Sequence, residues 1–217
     1  DTLTQPPHLP IPDAMNKALI LFAHPRYEKS RANRALISAL SGQEQVTVHD
    51  LYETYPDFNI DANREQLLLQ EHQIIVWHFP LYMYSAPAML KQWMDLVLEH
   101  GWAHGGNTYS LKNRLVFCAI TTGGTRASYA PGAFNSHSMG EFLYPFQQTA
   151  RLCRMNWLPP FMLQGTYRLS EQALAAYAAD YRQALHLLGQ ACVVSELERF
   201  EFINDWLEFK QGAVKHD

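Results

Sequence analysis

Short apolar runs recur along the chain at the length of β-strands. They cover residues 17–23, 46–51, 74–80, 115–120 and 157–163. The first and fourth runs are apolar almost throughout rather than alternating, which is typical of strands covered on both faces in a parallel sheet. The fifth run contains Pro159 and Pro160, which lack an amide hydrogen and therefore favour an edge position.

Segments with a helical spacing of apolar residues lie between and after these runs. They are predicted at residues 30–40, 65–72, 86–98, 138–155, 173–188 and 195–210. Ser30 is the predicted N-cap of the first helix, and Gly101 is the predicted C-cap glycine of the third. Pro145 should kink or divide the fourth helix.

The alternation of strands and helices predicts an α/β fold, a doubly wound five-stranded parallel sheet with helices on both faces. Residues 15–190 are expected to form one domain. Residues 1–14 contain four prolines and are expected to form an extended N-terminal arm. Residues 191–217 are expected to be a C-terminal helical extension that buries its apolar side against the domain or a second subunit.

The composition narrows the classes of function. The chain has 217 residues, is 47% hydrophobic and carries a net charge of −4, so it offers no basic face for nucleic acid. No apolar run approaches the roughly 20 residues of a membrane span, and the first residues lack the layout of a signal peptide. We therefore expect a cytoplasmic protein that reaches the inner membrane only through a partner.

The cysteines and histidines do not predict a metal site. Cys118, Cys153 and Cys192 are too far apart for a zinc spacing and are expected to be reduced and mostly buried. The pair at residues 100 and 104 lacks a third ligand at a suitable spacing. His78 lies inside a strand and is expected to be a hydrogen-bonded core residue.

Three strand ends carry residues that suit a ligand. The first strand leads to residues 30–33 at a helix start, where backbone N–H groups and the helix dipole favour an anion such as phosphate. The third leads to residues 80–84, whose rings and thioether suit a flat ring system. The fourth leads to residues 121–124, whose hydroxyls and backbone N–H groups suit negative charge on a ring oxygen or nitrogen.

Each of these features also has a simpler explanation. Ser30 could act only as an N-cap, and the rings of residues 82–84 could pack beneath their own loop. The glycine pattern fits neither a Rossmann fingerprint nor a P-loop. Taken together, however, the three strand ends supply a phosphate cradle, an apolar ring platform and a polar edge, which is the set that flavin mononucleotide requires.

Several motifs resemble a known family in order along residues 17–190. They are Ala-His-Pro at 23–25, Ser-Arg-Ala-Asn at 30–33, Phe-Pro-Leu-Tyr at 79–82, Pro-Ala-Met-Leu-Lys-Gln-Trp at 87–93 and Thr-Thr-Gly-Gly at 121–124. This set resembles the flavodoxin-like NAD(P)H:quinone oxidoreductases of the DT-diaphorase type. Residues 55–61 and 153–160 look most similar to a bacterial branch, the ancillary oxidoreductases of glutathione-gated potassium-efflux antiporters.

The resemblance implies a fold, a cofactor and a reaction. It implies strand order 2-1-3-4-5 and a homodimer with FMN, or alternatively FAD, at the subunit interface. It also implies a ping-pong cycle in which NAD(P)H transfers hydride to the flavin and a quinone takes up two electrons. The implied cofactor-binding residues are His24, Ser30, Arg31, Ala32, Asn33, Pro80, Leu81, Tyr82, Met83, Tyr84, Thr121, Thr122, Gly123 and Gly124.

The resemblance carries two catalytic candidates. Tyr129 aligns with a family tyrosine near the flavin that stabilises its reduced anion. The family histidine that assists proton movement aligns near Asn135, while His137 follows two residues later and is the candidate here. The family often has Gln-Trp where this chain has Tyr82 and Met83, so ring packing and redox tuning should differ.

One other function stays open, and a third is disfavoured. The match at residues 55–61 favours a regulatory ancillary subunit that docks on a potassium-efflux antiporter, with the flavin as a structural or sensing element. An electron-transfer flavodoxin is disfavoured, because the chain is long and only mildly acidic.

Overall fold

The fold is known from a computed structural model that describes residues 16–190 and 194–214. The expected N-terminal arm at residues 1–14 lies outside the described residues, as does Cys192. Cys118 and Cys153 are free and buried, as expected.

A parallel sheet forms the centre of the molecule. Its strands are β1 (Ala18–Phe22), β2 (Val46–Asp50), β3 (Ile74–Pro80), β4 (Leu115–Thr121), β5 (Asn156–Trp157) and β6 (Phe161–Leu163). The order is β2-β1-β3-β4-β5, and β6 also pairs with β4. Every pairing is parallel. The doubly wound α/β fold and its strand order are therefore confirmed.

The predicted fifth strand is split. Residues 157–163 were expected to be continuous, but the strand is interrupted at Pro159 and Pro160, and β5 and β6 pair with β4 separately. The interruption follows from the missing amide hydrogens of the two prolines, which cannot donate to the ladder. This position is the sheet edge beside β4, as the prolines predicted.

Helices cover both faces of the sheet. They are α1 (Arg31–Ser38), α2 (Leu51–Thr54), α3 (Ala62–Gln70), α4 (Ala88–Val97), α5 (Met139–Phe142), α6 (Tyr144–Leu152), α7 (Glu171–Gln190), α8 (Val194–Leu197) and α9 (Ile203–Val214), with 3₁₀ turns at Tyr27–Lys29 and Arg126–Ser128. Ser30 caps α1 as predicted. The predicted helix at 138–155 is divided into α5 and α6, and Pro145 lies in the first turn of α6.

Two helix ends differ from prediction. The C-cap of α4 is Leu98, and Gly101 lies three residues later in a turn with φ +91°. The predicted helix at 195–210 is two helices, because the backbone between them bonds elsewhere. The N–H of Ile203 donates to Pro160 O at 2.9 Å, and that of Phe202 donates to the Asp205 carboxylate at 3.2 Å.

The core consists of two apolar layers, one on each face of the sheet. Alternate residues of β1 and β3 enter opposite layers: Leu21 and Trp77 lie in the layer covered by α2 to α6, while Ile20 and Val76 lie in the layer covered by α1 and α7 to α9. Both layers are buried, so the sheet is a rigid support for the loops at its carboxyl edge.

A buried carboxylate anchors the loop after α2. Glu65 is fully buried and accepts hydrogen bonds from Tyr55 Oη at 2.6 Å, Trp93 Nε1 at 2.8 Å and His49 Nε2 at 2.9 Å. Burial alone would raise the pKa of Glu65, but these donors outweigh it and hold the pKa below its ordinary value. The cluster fixes the start of the loop at residues 55–61.

Candidate functional site

The carboxyl end of β1 forms a positively polarised corner. The Ser30 hydroxyl oxygen accepts from the Asn33 N–H at 3.2 Å and caps α1. This leaves the N–H groups of Arg31 and Ala32 in the first turn without helical acceptors, as at any helix start. Arg26 and Lys29 add cationic side chains to the same corner. The corner therefore suits an anion.

A buried hydrogen-bond network lies behind this corner. Asn33 is almost fully buried, and its Nδ2 donates to Ser30 Oγ at 2.9 Å and to Thr121 Oγ1 at 3.0 Å. Its Oδ1 accepts from His78 Nε2 at 3.0 Å, so His78 Nδ1 accepts from the Tyr181 hydroxyl at 3.2 Å. The prediction that His78 is a hydrogen-bonded core residue is confirmed.

The network fixes the direction of two hydroxyl groups. Because Ser30 and Thr121 both accept from Asn33, each hydroxyl keeps its own hydrogen free to donate. Burial lowers the pKa of His78 from 6.5 to about 3, so its ring is neutral at physiological pH. The arrangement presents donors, rather than acceptors, at the ends of β1 and β4.

His24 closes the corner on the other side. Its Nδ1 accepts from the Arg26 N–H at 3.0 Å, and its Nε2 lies 3.4 Å from the Tyr82 hydroxyl. Burial lowers the pKa of His24, which keeps this ring neutral as well. His24 thus connects the anion-binding corner at the start of α1 with the aromatic loop after β3.

The aromatic loop after β3 is a tight turn with unusual backbone angles. Tyr82 and Ser85 exchange two backbone hydrogen bonds of 3.0 Å, while Met83 and Tyr84 have φ of +46° and +66°. Positive φ at both central residues is the pattern of a type I′ turn, which favours Asn and Gly and is strained for other side chains. Met83 is 90% exposed, and both tyrosines are about half exposed. The alternative that these side chains form core beneath the loop is therefore wrong.

The loop after β4 brings the backbone close to two tyrosine rings. A Cβ on Gly123 would lie 2.5 Å from Tyr167 Cε2, and a Cβ on Gly124 would lie 3.0 Å from Tyr129 Cε2. The Thr122 hydroxyl donates to Gly124 O at 2.7 Å, and the N–H groups of the two glycines have no acceptor within the described chain. These N–H groups are available to a ligand.

The three strand ends meet at one cleft of about 350 Å³. Most of the predicted binding residues line it: His24, Ser30, Arg31, Ala32, Asn33, Pro80, Leu81, Tyr82, Thr121, Thr122 and Gly123. Met83, Tyr84 and Gly124 are not in its lining. Sequence reasoning missed Arg26, Lys29, Thr166 and Tyr167, which also line the cleft. The two basic residues were visible as a polar stretch, whereas the other two lie on a loop with no motif.

The catalytic candidates lie around one ring beside the cleft. Phe142 stacks on Tyr84 with ring centroids 5.1 Å apart and meets the edges of Tyr129 at 6.1 Å and His137 at 5.9 Å. Burial raises the pKa of Tyr129, while its contact with Thr122 acts in the opposite direction. The Tyr129 phenol is therefore protonated at neutral pH and can donate. Phe142 was not predicted, because no local motif marks it.

Asn135 and His137 have different surroundings. Asn135 Nδ2 donates to Ser128 O at 3.0 Å, which ties it to the turn before Tyr129. His137 is exposed, and its Nδ1 lies 3.2 Å from Glu141 Oε1. Of the two positions, only His137 therefore carries an imidazole ring, and that ring is exposed.

The described residues contain no grouping of three or more His, Cys, Asp or Glu side chains suited to a metal ion. Among the helices described, none combines the length and hydropathy that crossing a bilayer demands.

A family model described as a flavodoxin-like fold matches residues 16–185. The glutathione-regulated potassium-efflux system ancillary protein KefG of Yersinia enterocolitica is 45% identical over 169 residues, which cover 78% of this chain and 92% of that protein.

Solved structures extend this similarity. General stress protein 14 of Treponema denticola, solved in complex with FMN, is 36% identical with a TM-score of 0.76, covering 79% of this chain and 99% of that one. An NADPH-quinone reductase from P. pentosaceus is 29% identical with a TM-score of 0.72, covering 82% and 99%. The chain therefore belongs to the flavodoxin-like family that includes the KefG ancillary proteins and the NADPH-quinone reductases.

Proposed function

We propose that this protein is a flavin-dependent NAD(P)H:quinone oxidoreductase with FMN in the cleft at the ends of β1, β3 and β4. One observation carries the proposal. The anion-binding corner, the aromatic loop after β3 and the unpaired backbone N–H groups after β4 meet at one cleft. The FMN complex of the Treponema denticola relative supports the choice of flavin.

The phosphate end of the cofactor would lie at the start of α1. The N–H groups of Arg31 and Ala32 and the directed hydroxyl of Ser30 would donate to phosphate oxygens. Arg26 and Lys29 would supply the balancing positive charge. Arg31 has a partner of its own, because its guanidinium pairs with Glu171.

The ring end would lie between the turns after β3 and β4. Pro80, Leu81 and Tyr82 would pack against the flat face, and the Gly123 N–H in the cleft lining would donate to its polar edge, with the unpaired Gly124 N–H next to it in sequence. When bound, FMN supplies a two-electron carrier between NAD(P)H and a quinone.

The proton-handling groups would be Tyr129 and His137. The protonated Tyr129 phenol would donate toward negative charge at the polar edge. The exposed His137 ring would exchange protons between this region and solvent. We place both in these roles because they flank Phe142, the ring on which Tyr84 of the aromatic turn stacks.

The exposed side chains of the aromatic turn suit contact with substrates or a second subunit. Met83 is 90% exposed. Phe134, five residues after Tyr129, is 89% exposed. We propose a cytoplasmic homodimer in which residues 15–190 form the flavin domain. Light scattering on the purified protein tests the dimer.

Spectroscopy tests the proposed cofactor and reaction. Purified protein should be yellow, its extracted cofactor should co-elute with FMN rather than FAD, and anaerobic NADPH should bleach its flavin absorbance. A colourless protein that takes up neither flavin would refute the proposal.

A charge reversal tests the phosphate end separately. Lys29→Glu should weaken FMN binding by about tenfold or more, because a negative side chain would face the phosphate. Lys91→Glu is the matched control, since Lys91 is an exposed lysine on α4 outside the cleft. Equal losses in the two variants would contradict the placement.

A second function is favoured by the KefG relative and by the loop at residues 55–61. We propose that this chain docks on a potassium-efflux antiporter through that loop. Phe58 is 38% exposed with φ +62° and meets the Tyr52 ring edge at 6.0 Å, while Tyr55 anchors the loop on Glu65. Co-purification with the antiporter that is lost in Phe58→Ser and kept in Leu67→Ser would support it. Retention by both variants would contradict it.

A further inference from the structure

The C-terminal segment, residues 199–214, packs on the edge of the sheet beyond the end of the family model at residue 185. The Asn204 side-chain amide bonds to the backbone of Met162 in β6, as a neighbouring strand would. Its Oδ1 accepts from Met162 N at 2.8 Å, and its Nδ2 donates to Met162 O at 3.0 Å. Phe202, Ile203 and Trp206 are buried on the domain. The segment is therefore fixed relative to β6.

From this fixed position the segment holds one arginine. Arg126 Nη1 donates to Asp205 Oδ1 at 2.6 Å, Nη2 donates to Asp205 Oδ2 at 2.9 Å, and Glu201 accepts from Nη2 as well. The guanidinium carbon also lies 4.3 Å from the centre of the Phe202 ring. Two parallel bonds to one carboxylate restrict the orientation of Arg126 as well as its distance.

Arg126 lies three residues before Tyr129, in the turn formed by residues 124–129. The Tyr129 N–H donates to Arg126 O at 3.1 Å, and the Tyr129 ring lies against Gly124. The turn (residues 124–129) is also held by the bond from Ser128 N–H to Thr125 O, by the bond from Gly165 N–H to Gly124 O at 2.9 Å, and by Asn135. A change at Arg126 is thus transmitted over one turn to the phenol.

The ion pairs contribute little to global stability, because Arg126 and Glu201 are about half exposed. The geometry of these ion pairs instead fixes the position of Arg126. We propose that the C-terminal segment braces the turn at residues 124–129, and that Arg126 is a positioning residue which places the Tyr129 phenol beside the cleft. This inference rests on the proposed function for its catalytic consequence, but the brace itself exists without a cofactor.

Hydrogen exchange on the flavin-free protein tests the brace directly. Arg126→Met should speed exchange of the Ser128 and Tyr129 amides by about fivefold or more, because local opening of the turn breaks the hydrogen bonds that protect them. Asp205→Asn should do the same, and the double variant should add little, as expected for two partners of one interaction. Lys210→Met is the matched control, because Lys210 pairs with Glu196 in the same region without touching the turn.

Flavin reduction tests the catalytic consequence. In Arg126→Met the maximal rate of reduction by NADPH should fall about tenfold while FMN content and the NADPH KM change less than twofold, and Arg126→Lys should recover only part of the rate. Unchanged exchange in Arg126→Met, or additive effects in the double variant, would overturn the brace. If exchange responds as expected but wild-type protein takes up no flavin, the brace stands and the proposed function fails. Faster exchange with an unchanged reduction rate would refute the positioning role of Arg126.

Discussion

The side-chain oxygen of Asn33 lies 3.0 Å from His78 Nε2, in the interior behind the start of α1. This bond sets the orientation of the Asn33 amide, so that its NH₂ group faces the hydroxyls of Ser30 and Thr121. Two strand ends that lie far apart in sequence are thereby connected through one buried amide. This connection determines which hydroxyl groups can donate into the cleft.

Asn33→Ala should therefore lower both stability and FMN affinity. The variant leaves His78 Nε2 without its acceptor in a fully buried site, which should reduce the free energy of unfolding by about 1–3 kcal/mol. It also removes the Nδ2 donor that orients the Thr121 hydroxyl, whereas Ser30 Oγ still accepts from the backbone N–H of residue 33. Denaturant unfolding and FMN titration measure the two effects. Asn59→Ala, at an exposed loop position, is the control, and equal behaviour of both variants would contradict the network.

Stability should fall as pH drops below about 6.5, because His78 and His24 both have lowered pKa values. The unfolded chain binds a proton at His78 near pH 6.5, whereas the folded protein does so only near pH 3. Each such group reduces the free energy of unfolding by up to about 1.4 kcal/mol per pH unit within its window. The contribution is thus complete above pH 6.5 and is lost on acidification.

Replacing His78 by Gln should flatten this pH dependence, since Gln keeps a donor and an acceptor but does not titrate. Urea unfolding at pH 7, 6 and 5 measures the slope. His186→Gln, on the exposed face of α7, provides the comparison. An identical slope in wild type and His78→Gln would show that the ring does not titrate in this way.

The fold was predictable because its signal is local and repeated. Buried strands such as β1 and β4 are nearly continuous apolar runs, and their alternation with amphipathic helices leaves few topologies. The helix ends were less predictable. The break between α8 and α9 depends on the bond from Ile203 N to Pro160 O, which no helical pattern contains.

The candidate site was predictable where a motif follows a strand, and not where contacts come from distant parts of the chain. The residues at 30–33 and 121–124 follow strands and were found. Phe142 and Arg126 were missed, because their roles depend on partners on other elements, Tyr84 and Asp205. Glu65 was missed for the same reason, since a carboxylate within a helical pattern is ordinarily expected to face solvent.

Gly124→Ala should slow flavin reduction more than it weakens flavin binding. The added Cβ would lie 2.7 Å from Ser128 Oγ and 3.0 Å from the Tyr129 ring, so the turn carrying the phenol must move. Stopped-flow reduction and FMN titration separate the two quantities. Gly140→Ala, where the nearest heavy atom is 3.9 Å away, should leave both unchanged. A Gly124→Ala variant with wild-type reduction would remove the turn from the mechanism.

Tyr129→Phe should keep flavin content and slow reduction by up to about a hundredfold, as when one donor to developing charge is removed. The ring packing against Gly124 and Phe142 is retained in this variant, so only the hydroxyl is tested. Anaerobic stopped-flow absorbance measures the rate. Reduction at the wild-type rate would exclude the phenol from catalysis.

Met83→Asn should stabilise the protein and at the same time impair quinone reduction. Met83 adopts φ +46° and is 90% exposed, so its backbone strain is offset by few side-chain contacts. Asn tolerates this conformation better, and the gain should be about 1 kcal/mol. Met83→Ala loses the same thioether without relieving the strain, so it should match Met83→Asn in its raised quinone KM but not in stability. If Met83→Asn gains stability and keeps the wild-type quinone KM, then the Met83 thioether does not contact the quinone, and the strain of this turn does not serve quinone binding.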